Sequence, residues 1–155
     1  MKTLQALSGL FCPLICGLSL AILTTGCSSF QRGWKVATAA SPPASDISGP
    51  WEGTWLSDVN GHHGRLRCLV TRLDGRHYRA RYKATYRRIL RFGYTVDMEI
   101  ERTSGDRFQF RGKADLGWWG GGVYHYDGYA TPTNFFSTYT SKFDHGKFQM
   151  KRPGG

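Results

Sequence analysis

The side chains able to move protons or hold metals are few and scattered. His62 and His63 sit side by side in Asn60-Gly61-His62-His63-Gly64, while His125, His145, Asp127 and Asp144 stand singly further along. Adjacent residues on a strand face opposite ways, so the histidine pair is a poor chelate. The chain has no His-Glu-x-x-His, no paired Cys-x-x-Cys, no Gly-x-Ser-x-Gly elbow and no Gly-Lys-Ser/Thr phosphate loop. Asp127, Asp144, His125 and His145 could serve as acids or bases, but their spacing pairs none of them with a nucleophile. The expectation is a binding protein and not an enzyme, with no metal and no cofactor.

Aromatic and cationic residues offer a different chemistry, that of recognition. Leu116-Gly117-Trp118-Trp119-Gly120-Gly121-Gly122 sets two indoles among glycines that permit sharp backbone turns. Such a pair suits stacking on a sugar ring or capping a barrel mouth, and a structural plug is the commoner use of paired aromatics. Arg87, Arg88 and Arg91 share one loop with Ile89 and Leu90, giving a basic loop with an apolar tip. It reads either as a solvated turn or as a docking element for a lipid surface. Tyr82, Tyr94, Trp118 and Trp119 are the candidate ligand contacts, because an inward tyrosine hydroxyl needs a partner that a ligand or water can supply. Cys68, between Leu66 and Val70, reads as a small buried hydrophobe.

These residues belong to a chain whose pattern repeats every two residues from Trp51 onward. Tyr78, Ala80, Tyr82, Ala84 and Tyr86 alternate with polar neighbours, as do Phe92, Tyr94, Val96, Met98 and Ile100, and then Phe108, Phe110, Gly112 and Ala114. Half-buried antiparallel strands give this pattern. Eight are expected: Glu52–Ser57, Arg65–Arg72, His77–Tyr86, Phe92–Glu101, Arg107–Leu116, Gly122–Tyr129, Asn134–Ser141 and Lys147–Arg152.

Requiring apolar faces to meet predicts the registers. A loop Leu73-Asp74-Gly75, with Gly75 left-handed, pairs Val70 with Tyr78, Cys68 with Ala80 and Leu66 with Tyr82. A loop Thr103-Ser104-Gly105 pairs Ile100 with Phe108 and Met98 with Phe110. Pairing Tyr82 with Val96 then sets Arg81 by Asp97, Arg79 by Glu99 and His77 by Glu101, with Asp97 also facing Arg111. The last turn, near Asp144-His145-Gly146, fits three or four residues equally well.

Eight antiparallel strands with short turns close best as an all-β, up-and-down barrel, which removes exposed edges. The interior of such a barrel is filled by side chains or holds one small ligand, and both readings stay open. Gly53-Thr54-Trp55 opening the first strand and Lys151-Arg152 ending the last resemble the calycin superfamily of lipocalins, fatty-acid-binding proteins and avidins. That resemblance implies that Trp55 closes one barrel end under Arg152, although Gly49-Pro50-Trp51 offers a second Gly-x-Trp.

The N-terminus carries Lys2 and then an apolar run from Leu10 to Leu23, ending in Leu23-Thr24-Thr25-Gly26-Cys27. A charged region, an apolar core and small residues at a cut site make an export signal. With cysteine directly after the site, the segment resembles a bacterial lipoprotein signal, except that Thr24 stands where leucine is commonest. The resemblance implies cleavage after residue 26, lipidation of Cys27 and, with Ser28 next, an envelope protein of the outer membrane facing the periplasm. Cleavage takes 26 of the 155 residues, and loss of Lys2 lowers the formal net charge from +10 to +9. Cys12 and Cys16 leave with the signal, so Cys68 has no thiol to pair with.

Residues 27–50 read as a lipidated cysteine and unstructured tether, rich in small residues and proline, with Trp34 and Lys35 suited to a membrane interface. Residues 51–155 form the barrel domain. The basic surface favours an anionic envelope component over nucleic acid, which export makes the least plausible partner. The expected function is binding of a small apolar or amphipathic ligand. The alternative is docking to an anionic envelope polymer, lipid or protein through the basic and tryptophan-rich loops.

Overall fold

The computed structural model describes residues 25–41, 46–87 and 89–154, without the side chains of residues 25–28 and 102. The export segment up to residue 24, the Cys27 side chain, residues 42–45 of the proposed tether and Arg88 lie outside the described residues. From Trp34 onward the chain forms one compact unit.

Among the described residues eight strands appear, in the places the alternating pattern gives them: β1 (Gly49–Ser57), β2 (His63–Arg72), β3 (His77–Tyr86), β4 (Leu90–Ser104), β5 (Arg107–Asp115), β6 (Val123–Ala130), β7 (Asn134–Thr140) and β8 (His145–Lys151). They close into one antiparallel barrel in chain order, with β8 returning to β1. Along β3 the inward Tyr78, Ala80, Tyr82 and Ala84 are buried while Arg79 stays outside. The same alternation fills the interior from every strand.

The faces meet as expected, but the expected pairings are two residues off. β2 and β3 match Val70 with Ala80, Cys68 with Tyr82 and Leu66 with Ala84. Their loop is Asp74-Gly75-Arg76, closed by the Leu73 N–H donating to the His77 carbonyl at 2.8 Å. Gly75 is not left-handed. Instead Asp74 Oδ1 accepts the Arg76 and His77 N–H groups and contacts His77 Nδ1 at 2.8 Å, so a carboxylate bends the loop. β3 and β4 match Tyr82 with Tyr94 and Ala80 with Val96. β4 and β5 match Met98 with Gly112 and Ile100 with Phe110, through a turn at Gly105-Asp106 and a bulge between Ile100 and Arg102. Gly105, at φ 59°, supplies the left-handed position of that turn.

The charged ladder on the outside is re-paired accordingly. Arg79 holds Asp97 at 2.7 Å, Arg76 holds Glu99 at 2.9 Å, and Arg111 bridges Glu101 and Asp127 at 3.0 Å each. The anticipated Arg81–Asp97, Arg79–Glu99, His77–Glu101 and Asp97–Arg111 contacts give way to these. The last hairpin takes four residues, with Thr140 opposite His145.

The tether region also differs. Thr25–Ala39 is an α-helix, α1, where an unstructured chain was expected. Trp34 is buried and lies 4.9 Å beneath the Arg67 guanidinium, so it is not presented to a membrane. The Thr38 hydroxyl donates to the Trp34 carbonyl at 2.9 Å near the helix end, one turn ahead of Pro42-Pro43, which cannot continue a helix.

One end of the barrel is sealed by Trp51, not Trp55. Trp51 is 0% exposed, its indole N–H donates to the Ile47 carbonyl at 2.9 Å, and its ring packs 5.5 Å from that of Phe135. The Arg152 guanidinium sits 3.8 Å over the Trp51 ring and donates to the carbonyls of Asp46, Ser48, Pro50 and Pro132. Burial pulls Arg152 down to about 10, which still leaves it charged at neutral pH. Trp55 is the second tryptophan of the same strand, four residues nearer the opposite end and only half-buried.

Trp51→Ala is expected to lower the unfolding free energy by about 3–5 kcal/mol. Arg152→Met, which strips those carbonyls of their donor, is expected to lower it by about 1.5–3 kcal/mol. Urea titration checks both, and a larger loss for Trp55→Ala than for Trp51→Ala would return the closing role to Trp55.

Candidate functional site

In an up-and-down barrel alternate connections fall at opposite ends. The β2–β3, β4–β5 and β6–β7 turns share the sealed end with Arg152, and the β1–β2, β3–β4, β5–β6 and β7–β8 connections surround the other. There the barrel is not filled. A cavity of about 760 Å³ opens at this end, walled by Trp55, Phe92, Tyr94, Tyr124, Tyr126, Tyr139 and Phe148. Ala84, also in its wall, makes room, since it is small where its inward neighbour Tyr82 on β3 is large.

The aromatic rings form a continuous stack. Tyr82 lies 5.0 Å from Tyr94 and nearly parallel to it, Tyr94 is 6.5 Å from Tyr126, and Tyr124 is 6.4 Å from Tyr126 and 6.0 Å from Tyr139. Their hydroxyls are the polar handles of an otherwise apolar cup. The Tyr94 hydroxyl faces that of Tyr126, and the Tyr82 hydroxyl faces the buried Cys68 thiol. Burial pushes that thiol far up, so Cys68 is a neutral packing residue. The Tyr139 hydroxyl donates to the Leu56 carbonyl at 3.3 Å and lies 3.4 Å from Asp144 Oδ2. The charged residues of the wall, among the described residues, are Asp115 and Asp144.

Each sequence-derived candidate now has a place. Tyr94 borders the cup. Tyr82 does not; it is sealed beneath Tyr94 and supports it. Trp118 and Trp119 form a single 3-10 turn (Trp118–Gly120) and stand in solvent, 82% and 93% exposed, in edge-to-face contact with each other. They are not the packed plug that paired tryptophans suggest, although Trp119 reaches the cup wall. Gly117, Gly121 and Gly122, all at positive φ, fold that turn, and Asp115 Oδ1 accepts the Gly117 N–H at 2.9 Å. Arg87 has a left-handed backbone at φ 48° and lays its guanidinium 5.4 Å over the Tyr86 ring. Arg91 is exposed near the start of β4, paired through its backbone with Thr85.

Asp127, Asp144 and the adjacent histidines His62 and His63 have structural partners, and His125 and His145 lie on β6 and β8. Asp127 is held by Arg111, and Asp144 Oδ1 accepts the Ser57 hydroxyl at 2.6 Å. Ser57 Oγ in turn accepts the Val59 and Asn60 N–H groups, so this network ties the β1–β2 turn to the β7–β8 turn. His62 packs 4.8 Å from Tyr86, and His63 Nδ1 contacts the Gly61 carbonyl at 3.0 Å. Among the described residues no group of His, Cys, Asp and Glu is placed to hold a metal.

Sequence reasoning missed Tyr124, Tyr126, Tyr139 and Phe148 as wall residues. Tyr124 and Tyr126 repeat with period two and were within reach of the pattern. Tyr139 and Phe148 depended on the last hairpin, whose register the sequence left open.

Burial raises the hydroxyls of Tyr82, Tyr94, Tyr126 and Tyr139 well above the ordinary value of 10.0. An unfolded tyrosine ionises near that value and a folded one here only above it, so beyond it unfolding releases protons. Stability is therefore present in full below pH 10 and is expected to fall as the pH rises further. Urea midpoints and near-ultraviolet phenolate absorbance across that range check this. Ionisation of all eight tyrosines near pH 10 with the barrel intact would mean that the cup hydroxyls are open to water.

Searches against protein-family models and curated proteins give no match. Among solved structures the chain is similar to a designed protein described as "De novo design of a fluorescence-activating beta barrel", at 15% identity and a TM-score of 0.48, covering 73% of this chain and 99% of that one. An eight-stranded antiparallel barrel is the architecture that a calycin-like fold requires.

Proposed function

We propose that this chain is a lipid-anchored envelope protein whose barrel binds one small apolar or amphipathic molecule in its open end. The observation that carries the reading is the aromatic cup. Its volume of about 760 Å³ lies within the range of roughly 300–1,000 Å³ common for ligand pockets. Stacked rings offer apolar contact, and the hydroxyls of Tyr94, Tyr126 and Tyr139 offer a few fixed hydrogen-bond positions for a polar head group. Ligand binding without catalysis fits the placement of the acids, since Asp144 is engaged by Ser57 and Tyr139, and Asp115 by the Gly117 backbone. The anchor rests on the Leu23-to-Cys27 sequence and its likeness to lipoprotein signals. Acyl chains there gain about 0.8 kcal/mol per buried methylene.

Native mass spectrometry of the protein, gently extracted from its own host's envelope, is the first test. A discrete extra mass that disappears on denaturation is expected, and it would give the chemical class of the ligand. A clean apo mass, together with no binding of a fluorescent fatty-acid analogue, would overturn the reading. Tyr94→Phe and Tyr126→Phe keep the ring stack and remove hydroxyls. Each is expected to weaken an amphipathic ligand by about two- to tenfold, the value of one hydrogen bond, with little dependence on salt. Cys27→Ser is expected to abolish incorporation of labelled palmitate, and continued incorporation would exclude Cys27 as the lipid anchor.

A further inference from the structure

All four connections at the open end carry large apolar side chains into solvent. The β1–β2 turn presents Val59, the β3–β4 connection Ile89 and Leu90, the β5–β6 connection Trp118 and Trp119, and the β7–β8 turn Phe143. At the sealed end Leu73 alone, among the described residues, is comparably exposed. Ile89, Trp118 and Trp119 exceed 80% exposure, far above what packing needs would leave. Large apolar side chains exposed together around one opening mark a site of contact. Its arrangement as a ring around a cavity mouth points to a flat, apolar-bearing partner that meets all four tips together.

The charges of the rim have the matching sign. Arg87 and Lys142 belong to the same connections and Arg91 is the second residue of β4, and among the described residues none of the three pairs with a carboxylate. Lys142 lies 5.3 Å over the Phe143 ring and Arg87 5.4 Å over Tyr86, so each cation stands beside an apolar ring. The acids of that end are occupied: Asp58 faces Lys147 at 3.8 Å, Asp144 holds Ser57, and Asp115 holds the Gly117 backbone. Tryptophan beside cations is the composition that settles at the head-group level of a bilayer, and an anionic leaflet draws basic residues to its surface.

We propose that the open end of the barrel docks onto an anionic lipid bilayer, with Trp118, Trp119, Ile89 and Phe143 entering the head-group region and Arg87, Arg91 and Lys142 meeting phosphates. The inference rests on the reading of the cup as a ligand site in one respect. A docked mouth lets an amphipathic molecule pass between bilayer and cup without crossing water.

The test uses the full chain reconstituted into vesicles of phosphatidylcholine and phosphatidylglycerol with brominated acyl chains, which quench nearby tryptophan emission. Of the five tryptophans, Trp34 and Trp51 are buried and Trp55 borders the cup, so the rim pair should supply most of the quenching. The variant W118F/W119F is expected to lose most of it. The variant R87Q/R91Q/K142Q, which changes only side chains outside the core, is expected to bring quenching in anionic vesicles down to the level seen in phosphatidylcholine alone. Each cation near an anionic surface strengthens contact by roughly fivefold, so the three together are expected to matter by on the order of 100-fold at low salt.

Quenching that is absent, or unchanged in W118F/W119F, overturns the proposal and leaves the rim to a protein or polymer partner. In W118F/W119F, where Trp55 is the one tryptophan left in the cup wall, a brominated fatty acid dissolved as monomer without vesicles reads the cup separately. Quenching there with none of the rim tryptophans in vesicles removes the docking and keeps the ligand site. The reverse pattern removes the ligand site and keeps the docking.

Discussion

The structure depends on closure of the hydrogen-bond ladder through β1. That strand pairs with β2 on one side and β8 on the other, and Gly53 stands opposite both Leu66 and Met150. A Cβ at Gly53 would overlap the Gln149 carbonyl, and one at Gly64 would overlap the Thr85 carbonyl and strike the Trp55 indole. Glycine at these points lets the strands approach closely enough to close. Closure leaves no edge strand to satisfy and makes inward and outward unambiguous for every residue.

Once the wall is closed, the two ends become separate problems with opposite solutions. The sealed end uses both chain approaches: residues 46–50 fold over it and Arg152 ties four of the surrounding carbonyls to the Trp51 ring. A guanidinium suits this place because its planar fork satisfies several acceptors while its face covers an indole. The open end has no such cover. Its Tyr139 hydroxyl is held by Leu56 and Asp144, and the mouth opens above the ring stack. A barrel of eight strands has room for either outcome. Here a small inward residue, Ala84, tips the open end toward a cavity.

The outer surface carries less of the specificity than its charge suggests. Of the arginines on β3 to β5, Arg79 and Arg111 answer carboxylates across the sheet. Exposed pairs of this kind contribute about 0–1 kcal/mol each. Arg87, Arg91 and Lys142, which among the described residues pair with no carboxylate, lie near the apolar tips of the open end.

Strand count and the inward face of each strand follow from the sequence alone, because a period of two is a local property written in neighbouring residues. Strand limits do not, since β4 runs over Leu90–Ser104 where the pattern gives Phe92–Glu101. Register does not follow. Sliding β3 by two residues against β2 or β4 keeps every apolar side chain inside, so matching faces cannot separate the pairing of Tyr82 with Val96 from that with Tyr94. The choice was made by Asp74 bending its loop and by the bulge after Ile100, which are visible only once the strands are in place. Which tryptophan closes the barrel was likewise undecidable locally, since Gly49-Pro50-Trp51 and Gly53-Thr54-Trp55 are alike as words. They differ in height along the barrel, and only the tertiary structure brings Arg152, from the far end of the chain, onto Trp51. The rim follows the same logic. Val59, Ile89, Trp118 and Phe143 are isolated apolar residues in four separate loops, and they become one surface because an up-and-down barrel returns alternate loops to the same end.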